Sequence, residues 1–186
     1  MFEDYEIWGA NNTARSLGSI GPKARVPKFV MGTANEVKLE RTLDFGAGPK
    51  ALHTWALRKQ WIECHAYEFG KNFNPEEHGP YALNRKYNTV MMSNVLNVQS
   101  SRDMLIRTLE QGVKVVNKPG RLVCNYPKSP RKSDLKEKDL IEILLSYFEY
   151  VVEIEPRLYE CYNQSTPMRE VRRMTAYKVH IKDKVC

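Results

Sequence analysis

The chain has 186 residues, of which 42% are hydrophobic and 27% charged, and its net charge is +7. That length holds one domain with a substantial core and falls short of two ordinary ones. No run approaches the roughly 20 apolar residues of a membrane span, and the amino terminus MFEDYEIWGANNTARS has no basic-then-apolar leader design. No segment is therefore expected to cross a bilayer, and a cytoplasmic location is expected.

The first part, residues 1–40, carries breakers at Gly18, Gly21, Pro22, Pro27 and Gly32, and is expected to be an irregular or partly helical lead-in to a core over 41–186. Arg41 to Phe45 reads as a strand running into a glycine turn. Pro49 suits a first helical position, and Ala51, Leu52, Trp55 and Ala56 recur at helical spacing. A second strand is predicted over Trp61 to Tyr67, followed by a polar loop from Gly70 to Lys86 and an apolar strand over Tyr87 to Met92. Ser100 and Asp103 form a capping-box pattern before a helix whose apolar face is Met104, Leu105, Leu109 and Val113. Gly112 weakens its end.

After Pro119-Gly120, the run Arg121 to Cys124 reads as a further strand, leading into the loop Asn125 to Pro130. Ser133 is placed to cap a helix from about Asp134 to Phe148, with Leu140, Ile143, Leu144 and Phe148 inward. Tyr150 to Ile154 and Met174 to Ile181 close the chain as strands, separated by a polar interval too long for a tight hairpin. Alternating strands and helices imply an α/β fold: a doubly wound, Rossmann-like, mostly parallel sheet with helices on both faces, an antiparallel edge strand and a shortened third-strand region. The whole chain is expected to form one domain.

Chemistry concentrates on one edge of that sheet. The turn DFGAGP joins a strand to a helix, and Gly46 and Gly48 permit backbone conformations and close ligand approach that a Cβ would forbid. Asp44 lies at the carboxyl end of the strand, placed to organise a cationic ligand group. Glu68 ends the next strand, about 20 residues on, the spacing at which an acid meets ribose hydroxyls. A third glycine is missing, since Lys50 follows Pro49. The pattern thus favours a nucleoside with an amino-acid tail over a dinucleotide.

In these residues the chain resembles the class I S-adenosylmethionine-dependent methyltransferases, over about residues 41–150. More narrowly, LDFGAGP at 43–49, YEFGKNFNP at 67–75 and MMSNVLNV at 91–98 are similar to the methyltransferases associated with DNA phosphorothioation systems. The resemblance implies S-adenosylmethionine as cofactor and S-adenosylhomocysteine as product. It implies that Asp44, Gly46, Ala47 and Gly48 hold the methionine part, and that Glu68, with Phe69 beside it, holds the ribose. The segment containing Ser93, Asn94 and Leu96 would flank the adenosine and methionine. Adenine contacts stay unassigned, because 70–86 offers no acidic-plus-apolar motif. The Asp or Asn, two prolines and an aromatic of DNA amino-methyltransferases are also missing after Met92, where Ser93-Asn94-Val95-Leu96 stands.

No catalytic base is evident; Asn125 and Tyr126 are the candidates, at the carboxyl end of a strand, against a plain turn that uses Asn and Pro for their backbone preferences. Tyr159, Tyr162 and Asn163 are placed in a late loop, as rim or packing residues, and His53 as a surface or packed histidine. Cys64, Cys124, Cys161 and Cys186 form no CxxC pair and the histidines no zinc spacing, so no metal is expected. Cys64 and Cys124, inside apolar runs, read as small buried hydrophobes. Basic residues gather over 121–138 and 169–173, which permits DNA or RNA as a partner. Two main readings result: methyl transfer to an unidentified acceptor, with nucleic acid or a nucleotide-like molecule among the classes allowed, and a noncatalytic nucleic-acid-binding module on the same fold. A nucleotide-dependent oxidoreductase ranks third.

Overall fold

A computed structural model describes residues 24–34, 41–128, 130, 135–163 and 176–182. Its sheet has seven strands in the order β2-β1-β3-β4-β6-β5-β7. Strands β1 (Arg41–Phe45), β2 (Glu63–Tyr67), β3 (Tyr87–Met92) and β4 (Val116–Asn125) are mutually parallel. β5 (Tyr150–Glu155), β6 (Leu158–Tyr162) and β7 (Lys178–Ile181) join through antiparallel pairs, so β5 points with the first four while β6 and β7 oppose them.

Side-chain alternation sorts the strands between two cores. Leu43, Phe45, Val90, Met92, Leu122 and Cys124 face one side, where helices α3 (Arg102–Lys114) and α4 (Glu137–Tyr147) contribute Leu105, Leu109, Leu140 and Leu144. Cys64, Met91 and Val123 face the other, against Val26 and Val30 of α1 (Arg25–Thr33) and Leu57 of α2 (Leu52–Arg58). Helices therefore cover both faces. In α1 the Pro27 ring sits in the first turn, where no intrahelical N–H is needed.

Several boundaries differ from the sequence reading, each for a local reason. Pro49 does not open the helix: Ala51 takes a left-handed φ of 42° and α2 begins at Leu52. Trp61 is outside β2, in a left-handed turn (φ 61°) and 98% exposed. The cap of α3 is Ser101, whose hydroxyl accepts the Met104 N–H at 3.1 Å; with two adjacent serines, the apolar face of the helix decides the register. Ser133 lies outside the described residues, and α4 opens at Glu137 with the Asp139 carboxylate accepting the Lys136 N–H.

Pro119 and Gly120 lie within β4, not before it, in an irregularity where β3 advances from Tyr87 to Thr89 while β4 advances from Val116 to Arg121. The largest departure is β6. Tyr159 and Tyr162 belong to this strand, paired on both sides, and β5 and β6 form a tight hairpin around Pro156 and Arg157. Its Glu160 hid the strand in the sequence, because this carboxylate is buried against Arg121 (2.9 Å) and not in water.

No strand lies between β2 and β3. Residues 68–86 instead hold two single 3-10 turns, Gly70–Asn72 and Ala82–Asn84. The second of them stands beside β2, an edge strand. The Gly79 N–H donates to the Ala66 oxygen (3.1 Å) and Arg58 Nε to the Cys64 oxygen (2.8 Å), so the edge carbonyls that a third strand would take are occupied.

Candidate functional site

The carboxyl ends of β1, β2, β3 and β4 lie side by side, which brings the glycine turn, Glu68, the Ser93-Asn94 bend and Asn125 to one edge. Asp44 is 1% exposed, on the α2 side of β1. Its Oδ2 accepts both the Thr54 N–H (3.1 Å) and the Thr54 hydroxyl (2.9 Å). Ala51, at the N-cap of α2, has no side chain able to serve that amide, so Asp44 caps the helix from the neighbouring strand. Its Oδ1 accepts no hydrogen bond and has His53 Nδ1 at 4.0 Å. Burial pushes the Asp44 carboxyl above the usual carboxylate range, opposed by His53 and the Thr54 bonds.

The turn itself needs glycine for two different reasons. Gly46 has φ 74°, and a Cβ there would lie 2.7 Å from Val95 Cγ2, so the β3 loop packs directly on the turn. Gly48 has φ 73°, yet a Cβ there would meet no protein atom within 4 Å, so its outer side is open to an approaching ligand. The Gly46 and Ala47 N–H groups both donate to the Tyr67 oxygen (2.9 and 3.0 Å), fastening the turn to the end of β2.

Glu68 is the next member. Its Oε2 accepts the Gly48 N–H at 2.9 Å and its Oε1 the Phe69 N–H at 3.0 Å. Each carboxylate oxygen has a second lone pair, the arrangement that receives the two hydroxyls of a diol. Burial raises its pKa to about 7, against the pull of those two N–H groups, and the charge of Asp44 adds to the rise. Phe69 stacks on Tyr67 with ring centroids 6.5 Å apart.

A residue that the sequence did not single out completes this corner. His78, 2% exposed, accepts the Asn74 N–H at Nδ1 (2.8 Å), so its proton is on Nε2, which donates to the Gly48 oxygen at 2.9 Å. No spacing rule links positions 30 apart in this way. Only the folding of 70–86 back over the turn brings them together.

On the other side, Asn94 adopts φ 57°, and its N–H donates to Asn125 Oδ1 while Asn125 Nδ2 donates to Asn94 Oδ1, both at 2.7 Å. Asn125 thus belongs to the edge. Tyr126 does not: its ring is 1% exposed within the core and its hydroxyl donates to the Leu135 oxygen at 3.0 Å. Leu96 is likewise fully buried and offers the edge only its main chain. Tyr159 is buried with its hydroxyl on the Glu137 carboxylate, and Tyr162 stacks on Tyr150 at 5.5 Å. Asn163 accepts the Glu149 N–H. None of these three lines the glycine edge. Cys64, Cys124 and Cys161 are all buried with free thiols.

A depression of about 390 Å³ between α4 and strands β5 and β7, lined by Glu142, Glu153, Lys178 and His180 among others, is a different place, with β3, β4 and β6 between β5 and β1. Of the basic residues over 121–138, Arg121 is buried, with Glu160 on Nη1 and Thr89 on Nε (2.8 Å), and presents no surface charge. Residues 131, 132 and 169–173 lie outside the described set. Among the described residues, no three His, Cys, Asp or Glu side chains group as a metal site, and no helix is long and apolar enough to cross a membrane.

No family model matches the chain, and no curated protein matches it in sequence. Solved structures do match. Magnesium protoporphyrin IX methyltransferase from Synechocystis PCC 6803, solved with bound S-adenosylmethionine, aligns with a TM-score of 0.56 at 16% identity, over 86% of this chain and 83% of that one. A TehB-like S-adenosylmethionine-dependent methyltransferase from Corynebacterium glutamicum gives 0.56 at 15% identity, over 82% and 92%. The 1,6-didemethyltoxoflavin-N1-methyltransferase of Burkholderia thailandensis, solved with bound 1,6-didemethyltoxoflavin and S-adenosylhomocysteine, gives 0.57 at 12%, over 88% and 91%. At such identities the likeness concerns architecture. The chain has the Rossmann-like α/β fold of these methyltransferases.

Proposed function

We propose that the chain is an S-adenosylmethionine-dependent methyltransferase, a single domain over 1–186, whose cofactor is held by residues at the carboxyl ends of β1, β2 and β3. The supporting observation is the 2.9 Å bond from the Gly48 N–H to Glu68 Oε2, which couples an open glycine turn to a carboxylate with lone pairs left for a diol. In this reading Gly46, Ala47 and Gly48 take the amino-acid end of the cofactor, and the buried Asp44 supplies negative charge beneath it. Glu68 and Phe69 take the ribose. Ser93, Asn94 and the main chain of Leu96 flank the adenosine and methionine.

The cofactor supplies an activated methyl group on a sulfonium, already a good leaving group. What remains for the protein is orientation, worth roughly 7–11 kcal/mol when reacting groups are held in line. Both polar atoms of the Asn125 amide engage Asn94, so this side chain shapes the edge and takes no proton. The narrower kinship with DNA-phosphorothioation-associated enzymes rests on the three sequence segments alone. A net charge of +7 suits an anionic acceptor, and nucleic acid or a nucleotide-like molecule is the class to assay first.

The test is calorimetry with S-adenosylmethionine, S-adenosylhomocysteine and NAD on the wild type and on Glu68→Ala. Micromolar binding of the first two, sharply weakened in the variant, is expected. Binding of NAD alone, or salt-dependent DNA binding with no cofactor uptake, would overturn the assignment.

A further inference from the structure

We propose that His78 is a positioning residue that sets the Gly48 peptide groups, and through them the Glu68 carboxylate, for cofactor binding; the inference rests on the cofactor reading above. Gly48 is held at both ends. Its N–H donates to Glu68 Oε2 and its oxygen receives His78 Nε2–H, each at 2.9 Å. A glycine at φ 73° has more backbone freedom to lose than any other residue, so what fixes its carbonyl limits where its own N–H points.

The imidazole is not needed merely to satisfy that oxygen, which also accepts the Ala51 N–H at 3.1 Å. Its contribution is direction. Asn74 N–H fixes the ring at Nδ1 (2.8 Å) and the Phe73 ring lies 5.7 Å away. The segment carrying it is itself tied to the sheet, because Gly79 N–H donates to the Ala66 oxygen of β2 at 3.1 Å. Glu68 follows that same strand. The hydrogen bonds therefore close a circuit from β2 through Gly79, His78 and Gly48 to Glu68 and back to β2. At 2% exposure His78 lies behind the turn, not at its open side, so it acts on a ligand through Gly48.

Two variants separate direction from packing. His78→Gln places an amide N–H₂ where Nε2 stands and keeps a donor for Gly48. His78→Asn reaches only the position of Nδ1 and loses it. Both are compared with the wild type by hydrogen exchange at the Gly48 amide and by calorimetry with S-adenosylhomocysteine. We expect His78→Asn to speed Gly48 exchange and weaken binding about tenfold, the scale of one hydrogen bond, while His78→Gln stays close to wild type in both. Equal losses in the two variants, following thermal stability, or unchanged Gly48 exchange in His78→Asn, would overturn the role. His78→Ala replaces the Asn variant if that chain does not fold. A wild type that takes up no S-adenosylhomocysteine defeats the cofactor reading instead, and Gly48 exchange then decides by itself whether His78 sets the turn.

Discussion

Asn94 and Asn125 exchange two hydrogen bonds of 2.7 Å each, main chain to side chain and side chain to side chain, across the carboxyl ends of adjacent strands. The pair ties the bend after β3 to the end of β4 with Asn94 held at φ 57°, a conformation that asparagine tolerates better than most residues. Asn125→Asp keeps an acceptor for the Asn94 N–H but sets oxygen against oxygen at the second bond. We expect a loss of about 1–3 kcal/mol in urea unfolding, with faster exchange at the Asn94 amide. An unchanged midpoint would show that the pair carries no stability.

Glu68 gives a pH signature. Its pKa is raised by burial from the ordinary 4.5 to about 7, so the folded chain holds this proton more tightly than the unfolded one. Its contribution to stability is fully present below about pH 4.5 and is lost as pH rises through about 7, with a size of about 3 kcal/mol. The stability difference between wild type and Glu68→Gln should change by that amount across the window. On the proposed reading the ionised acid receives the diol, so cofactor affinity should run the opposite way: it should be flat above pH 8 and weaken about tenfold per unit below 7. A pH-independent Kd for S-adenosylhomocysteine would remove Glu68 from the ribose.

Asp44 separates structure from binding. Asp44→Asn retains an oxygen for Thr54 and relieves a desolvated carboxyl, so thermal stability should hold. Asp44→Ala leaves the Thr54 amide and hydroxyl uncapped and should cost about 1–2 kcal/mol. Both variants should lose affinity for S-adenosylhomocysteine, since each removes the negative charge. Retained binding in Asp44→Asn would assign Asp44 to the helix cap alone.

Gly46→Ala combines a left-handed backbone with a methyl group 2.7 Å from Val95 Cγ2. The conformational part costs about 1–2 kcal/mol and the clash about 1–3 kcal/mol more. Adding Val95→Ala should recover the second contribution and not the first, as read from denaturation midpoints. No recovery would mean that Val95 does not set the spacing of the turn.

Arg121 and Glu160 form a buried ion pair at 2.9 Å. Arg121→Met strands the carboxylate and should destabilise by about 3–5 kcal/mol, whereas Arg121→Met with Glu160→Leu should regain most of it. If the single variant is as stable as wild type, the pair is not buried in solution.

Much of this fold was legible because each motif strand carries its own signal. Residues 41–45 and 87–92 match their predicted bounds, and Met104, Leu105 and Leu109 of α3 turn inward at helical spacing. Where polarity and burial part company the pattern is misleading. Glu160 made β6 look like a loop, and Trp61, fully apolar in sequence, stands in solvent. The place of Tyr126 after a strand suggests the edge, but the alternation of β4 turns it into the core. That Asp44, Gly48 and Glu68 meet at one sheet edge is legible from spacing, since the strand, helix and strand around them fix their relation. His78 could not, because its place depends on an irregular segment that no periodicity describes.

The segment 70–86 stands where another strand would have continued the sheet, and it serves two masters. Gly79 and its neighbours blunt an edge that would otherwise template association with another chain, while His78, one residue earlier, reaches the glycine turn. A deletion there would strike solubility and ligand affinity together. Protection of the β2 edge and the placing of the glycine turn are thus properties of one segment, and a change in it alters both.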